Sequence, residues 1–341
     1  MKKLLSFLFV IGLCLLGLFG CENSKVTYKD PDTGEEKELK IEKTENETEV
    51  ADSLYAVALS ETPVKETAAA SAKLTFNVDL AGKDNGGDQK LKAKGSLEIN
   101  ETFDKDAKIE TYMDLVKAYA LSAKLELSGE FMIDGGDLQK VKTSTVELFL
   151  EDGVLYAKIN LDAKLAEFIS SQDEEVGAMV QLVNEKTLKL DLSTVLPADE
   201  KLDDDAKEAL EALQGGKKLK ELLEEEKVDL KALRAQIEEI VKEYGIKITK
   251  VKGGEVTYSA DLGKEAFGET SESKLEVSVT VNVAEISLAG LSVKADIKEG
   301  ENVNGTAEAT LEVSYKAKVA KISDSDKEKA VDASTLMGGD E

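Results

Sequence analysis

Leu74, Phe76, Val78 and Leu80 alternate with Lys73, Thr75, Asn77 and Asp79, and this two-residue period returns along most of the 341-residue chain. Side chains one apart in a strand point to opposite faces, so such alternation demands one covered and one wet face. Leu91, Ala93, Gly95, Leu97 and Ile99 repeat it, as does the run Ala123, Leu125, Leu127, Gly129, Phe131 and Ile133. Val146, Leu148 and Leu150 lead through an Asp152-Gly153 turn to Leu155, Ala157, Ile159 and Leu161, which is a hairpin signal. Residues 107–116 are expected to add a further strand.

The period changes after Asp162. Leu165, Phe168 and Ile169, then Val176, Met179, Val180 and Val183, recur at helical spacing, with a short strand at Leu188–Leu192. Residues 199–243 keep a helical period, ending in Leu230, Leu233, Ile237, Ile240 and Tyr244 with Gly245 as the stop. That stripe predicts a helix with one apolar face laid on the body. The sheet then resumes at Ile246 and Ile248, turns at Gly253-Gly254, and continues through Val256, Tyr258 and Ala260. Leu275, Val277, Val279, Val281 and Val283 alternate cleanly, and a phase slip at Gly290 predicts a bulge before Leu291 and Val293. A last run extends from Ala307 to Val319.

Several of these runs reach eleven residues or more, about twice the usual strand length. Long antiparallel strands twist and curl, and Gly95, Gly129 and Gly290 would let them bend. The expected fold is therefore α+β: a strongly curved antiparallel sheet, or half-barrel, with the helical insert 162–244 packed on its concave face. One β-rich domain over 50–322 is expected, opened by a short helix at 50–60. Two β lobes joined by the helical middle stand as the alternative. Residues 21–49 read as a polar acidic tether with a hairpin at the Pro31–Gly34 turn, and 323–341 as a polar, frayed tail.

The chain has no histidine and no tryptophan, its only arginine is Arg234, and its two cysteines are Cys14 and Cys21. Histidine-based triads and imidazole zinc sites are thereby excluded, and no cysteine beyond Cys21 is left to serve as a thiol nucleophile. With 69 acidic residues, two neighbouring carboxylates carry no catalytic meaning by themselves. Asp30-Pro31-Asp32-Thr33-Gly34 lacks the closing glutamate of a calcium loop and reads as a tight turn. Asp203-Asp204-Asp205 reads as the acidic start of a helix. No enzyme, metal site or cofactor is expected. A net charge of −25 repels nucleic acid, which is excluded as a partner.

Met1-Lys2-Lys3 precedes an apolar stretch from Leu4 to Phe19, and the chain turns polar immediately after Cys21. A basic start, an apolar core and a small residue before the break describe an export signal over 1–20. Leu18-Phe19-Gly20-Cys21 resembles the lipobox of bacterial lipoproteins, with Phe19 its one departure. That resemblance implies acylation of Cys21 and anchoring of the chain on the extracytoplasmic side of a bacterial membrane.

The order of these features — lipobox cysteine, short helix, long meander, helical insert, returning strands — resembles the LolA/LppX-like group of lipoproteins and lipid carriers over roughly 50–320. The resemblance implies an apolar cavity between sheet and helices that carries acyl chains. Few bulky residues are present to fill a wide curve, so an unfilled cavity is expected on the apolar faces of Leu125, Leu127 and Phe131, and of Val277, Val279 and Val281. A non-enzymatic binder of a lipid or other apolar ligand is the expected function. A structural or protein-interaction lipoprotein with a packed core is the alternative.

Overall fold

The computed structural model describes residues 25–31, 33–62, 69–84, 87–104, 106–132, 137–172, 174–197, 199–203, 221, 223–224, 228–268, 270–284, 286–299 and 303–337. The lipobox with Cys21, Ile133 and most of the expected helix between 204 and 227 lie outside this set. The chain is α+β, its sheet pairings mostly antiparallel, and it divides into two compact units.

The first unit gathers the stretches 1–67, 210–296 and 310–315 as far as they are described. It opens with a hairpin of β1 (Lys25–Lys29) and β2 (Glu36–Lys40), closed by the expected turn. There the Asp30 carbonyl accepts the Gly34 N–H and its side chain accepts the Thr33 N–H. These residues do more than tether, because Val26 and Ile41 are buried in the core.

Asn46 then caps α1 (Glu47–Ala58) by accepting from the Thr48 and Glu49 N–H groups. The sheet of this unit runs β9 (Lys247–Lys252), β10 (Glu255–Asp261), β11 (Lys274–Asn282) and, as far as Asp296, β12 (Ser287–Glu299), each neighbour antiparallel. Its register slips where Thr280 faces Gly290 and Val281 faces Leu288, the bulge expected at Gly290.

Over one face of that sheet lie α1 and α5 (Leu230–Tyr244), whose Val50, Val57, Leu233, Ile237 and Val241 are all buried. The stripe on α5 thus lays its apolar face on a sheet, and Gly245 ends the helix with φ +56. Ser53 and Tyr258 share a buried hydrogen bond beneath α1.

The second unit comprises 68–209, 297–309 and 316–341 as far as they are described. Its sheet is a meander: β3 (Ala69–Asp84), β4 (Gly87–Phe103), β5 (Tyr119–Met132), β6 (Gln139–Glu151), β7 (Val154–Asn160) and β8 (Lys186–Asp191) pair in sequence order. The start of β13 (Val303–Ser314) lies beside β3.

The strand expected over 107–116 is not formed. Residues 112–118 are α2 (Tyr112–Ala118), because Thr111 and Asp114 make a capping box that satisfies the first N–H groups of a helix. Between β7 and β8 stand α3 (Ala163–Gln172) and α4 (Glu174–Val183).

The tail expected to fray beyond 323 instead crosses the polar side of β5–β8. The Ser122 hydroxyl accepts the Ala320 N–H, Glu151 accepts the Ile322 N–H and pairs with Lys327, and Ile322 is buried. Within it form α7 (Asp324–Lys329), β14 (Val331–Asp332), parallel to β8, and α8 (Ala333–Met337); α6 (Gly263–Phe267) belongs to the first unit.

Candidate functional site

The register of β3, β4 and β5 stacks apolar residues in rows across the strands. Leu80, Leu91 and Phe131 form one row, Val78, Ala93 and Gly129 the next, and Phe76, Gly95 and Leu127 a third. The middle row is low: valine, alanine and glycine stand between rows of leucine and phenylalanine. Gly129 has no alternative, since a Cβ there would sit 2.2 Å from the Lys92 carbonyl oxygen. Beside it the β5–β6 pairing slips, so that Leu127 faces Ser144 while Gly129 faces Val141. A bulge of this kind re-aims side chains next to a site.

Above this low row lies a cleft of about 480 Å³. Its floor includes Ala93 and Gly129, its walls Leu80, Leu91, Leu127 and Phe131, and its roof Leu165 and Phe168 of α3. The Phe131 and Phe168 rings meet with centroids 4.9 Å apart. Volume and apolar lining match the usual small-molecule site, roughly 300–1,000 Å³ with few polar groups.

Lys90, Lys92 and Glu130 line the cleft, and two of them, Lys92 and Glu130, are paired across the strands. Asp79, Lys92, Glu130 and Lys140 occupy one register row, with Lys92 at 2.5 Å from Asp79 and Lys140 at 3.4 Å from Glu130. Hydrogen bonding to Asp79 raises the Lys92 ammonium above its ordinary value. Among the described residues, no group of three acidic, histidine or cysteine side chains could hold a metal ion.

The roof is tied at its base. Asn184 accepts the Leu161 N–H at 2.7 Å and donates to the Leu161 carbonyl at 3.3 Å. The Glu185 N–H reaches the Ile159 carbonyl at 2.8 Å, and Ser144 accepts the Asp162 N–H at 2.9 Å. These bonds close the strand-to-helix junctions on both sides of α3 and α4. Nothing in the spacing of Asn184 announces that clasp. The two helices approach closely at Gly177, where a Cβ would fall 2.6 Å from the Ser170 Cα.

Of the six residues expected to line a cavity, Leu127 and Phe131 line this cleft. Leu125 is half-buried on the same face, two residues further along β5, and does not line it. Val279 and Val281 belong to the first unit and are buried in its core, with Val277 packed against that core. Helices α1 and α5 belong to that same core, so these valines do not join the other three. Sequence reasoning missed Ala93 and the roof residues Leu165 and Phe168.

Burial separates the two units sharply. All the buried residues of the large core cluster belong to the first unit. Among the described residues, the exposed large hydrophobics (Leu91, Leu138, Val176, Met179, Leu182, Val195 and Val303) all belong to the second. No described helix is long and apolar enough to cross a membrane. Comparison with known protein families and with curated proteins found no match.

Proposed function

We propose that this chain is an exported, non-enzymatic lipoprotein that binds or carries a lipid or other apolar ligand in the cleft of its second unit. The carrying observation is the apolar cleft of about 480 Å³ roofed by Leu165 and Phe168. The uncovered apolar surface around it supports the same reading, because patches of this kind on soluble domains mark interaction sites. In this reading β3–β6 curl as a half-barrel about α3. Acyl chains on Cys21 hold the molecule on the extracytoplasmic side of a bacterial membrane, two or more chains sufficing for stable anchoring.

Native mass spectrometry of the full chain purified from membranes, followed by lipid extraction, tests the proposal. Bound lipid retained by the native protein and lost from Leu127→Glu supports it. Native protein that carries no lipid and takes up none overturns it.

A second reading has its own observation. On α4, Val176, Met179 and Leu182 form an exposed apolar stripe, with Met179 62% exposed. Such a stripe suits a structural or protein-interaction lipoprotein. Loss of a stable complex in Met179→Lys, with lipid content unchanged, favours that reading.

A further inference from the structure

The volume of the cleft sets how much hydrocarbon it holds. An apolar cavity of about 150 Å³ accommodates the six carbons of benzene, or about 25 Å³ per carbon. At that ratio a cleft of about 480 Å³ holds on the order of nineteen carbons. One long acyl chain fills it, and the two chains of a membrane phospholipid need about twice the space. The floor reinforces this limit. Ala93 and Gly129 form the low part of the cleft floor, bounded by Leu80, Leu91 and Phe131 on one side and by Leu127 on the other.

Two of the charged residues lining the cleft, Lys92 and Glu130, are already engaged, while Lys90 also lines it. Lys92 holds Asp79, and Glu130 holds Lys140. A second charge brought among them would compete with these pairs.

We propose that the site takes a single unbranched acyl chain at a time, as in a fatty acid or a lysolipid, and that Ala93 and Phe168 set its length limit. This inference rests on the apolar-ligand reading above. Single occupancy follows from the volume, and linearity from the narrow Ala93–Gly129 floor between bulkier side chains. Ala93 sets the limit from below, because any larger side chain there rises into the channel. Phe168 sets it from above, because its ring closes on Phe131.

The test is competition among saturated straight-chain fatty acids of increasing length for the full chain held in amphipol. Native mass spectrometry counts the molecules bound. Affinity should rise about fourfold per added CH₂ and level off near nineteen carbons, with one molecule per chain. Ala93→Phe adds a ring of benzene size and should move the plateau about six carbons shorter. Phe168→Ala should move it longer, which keeps the test decisive if the first variant does not fold. Lysophosphatidylcholine should compete, and phosphatidylcholine of the same chain length should not.

Two molecules per chain, a rise with no plateau, or equal competition by the two-chain lipid would overturn single-chain binding while leaving the apolar-ligand reading intact. Failure of every acid and both lipids to bind would overturn both.

Discussion

The Phe168 ring lies against the Phe131 ring with centroids 4.9 Å apart and planes inclined at 53°. One ring belongs to a strand and the other to the helix above it, so the pair joins the roof of the cleft to its wall. Tilted aromatic pairs are worth about 0.5–1.5 kcal/mol beyond the area they bury. A double-mutant cycle of Phe131→Ala and Phe168→Ala, read by urea unfolding, should return a coupling of about that size. Additive effects of the two substitutions would show that the rings are only neighbours.

The buried Ser53–Tyr258 hydrogen bond should behave asymmetrically. Removing the Tyr258 hydroxyl takes this partner from the buried Ser53 hydroxyl, at a cost of about 1–3 kcal/mol. Tyr258→Phe should therefore cost that much, and adding Ser53→Ala should cost little more. A double variant whose loss equals the sum of two full penalties would contradict the pairing.

Alkaline stability should depend on Tyr315. Burial pushes its phenol up to about 12, and its O–H donates to the Leu288 carbonyl at 3.1 Å. The unfolded phenol titrates near about 10, so the folded state favours the protonated form. That contribution is whole below about pH 10, erodes between there and about 12, and is gone above. Tyr315→Phe should therefore flatten the loss of stability in this window, as followed by circular dichroism. An unchanged alkaline profile would remove Tyr315 from the explanation.

Acylation at Cys21 is open to a direct experiment. Metabolic labelling with a fatty-acid analogue should mark the native chain and leave Cys21→Ser unlabelled and either unprocessed or released. Cys14→Ser should label normally, since Cys14 lies inside the apolar segment that is discarded. Label persisting in Cys21→Ser would refute the assignment.

The strands were legible because a period of two needs only local sequence. Leu74 to Leu80 and Leu275 to Val281 form strands where alternation predicts them, and Asp152-Gly153 and Gly253-Gly254 turn where hairpins require. Alternation says that one face is apolar, not what covers it. Val279 and Leu127 carry the same pattern, yet the first is buried in a core with α1 and α5 while the second lines an open cleft. That difference is set by helices far away in sequence, beyond the reach of a periodic signal. The short helix at Tyr112–Ala118 was missed for a related reason. Its evidence is one capping box, Thr111 with Asp114, rather than a repeated stripe.

The first unit is assembled from stretches that the ribosome makes far apart in time. Ser53 and Tyr258 are separated by 205 positions, and at roughly 5–20 residues per second that gap lasts on the order of ten to forty seconds. The meander of the second unit pairs neighbouring strands, so it closes short loops and can form as it emerges. Among the described elements, the hairpin and helix made first are therefore among the last to find their partners. Throughout that interval Val50, Val57 and Leu59 stand open to any chaperone that recognises a bare apolar helix.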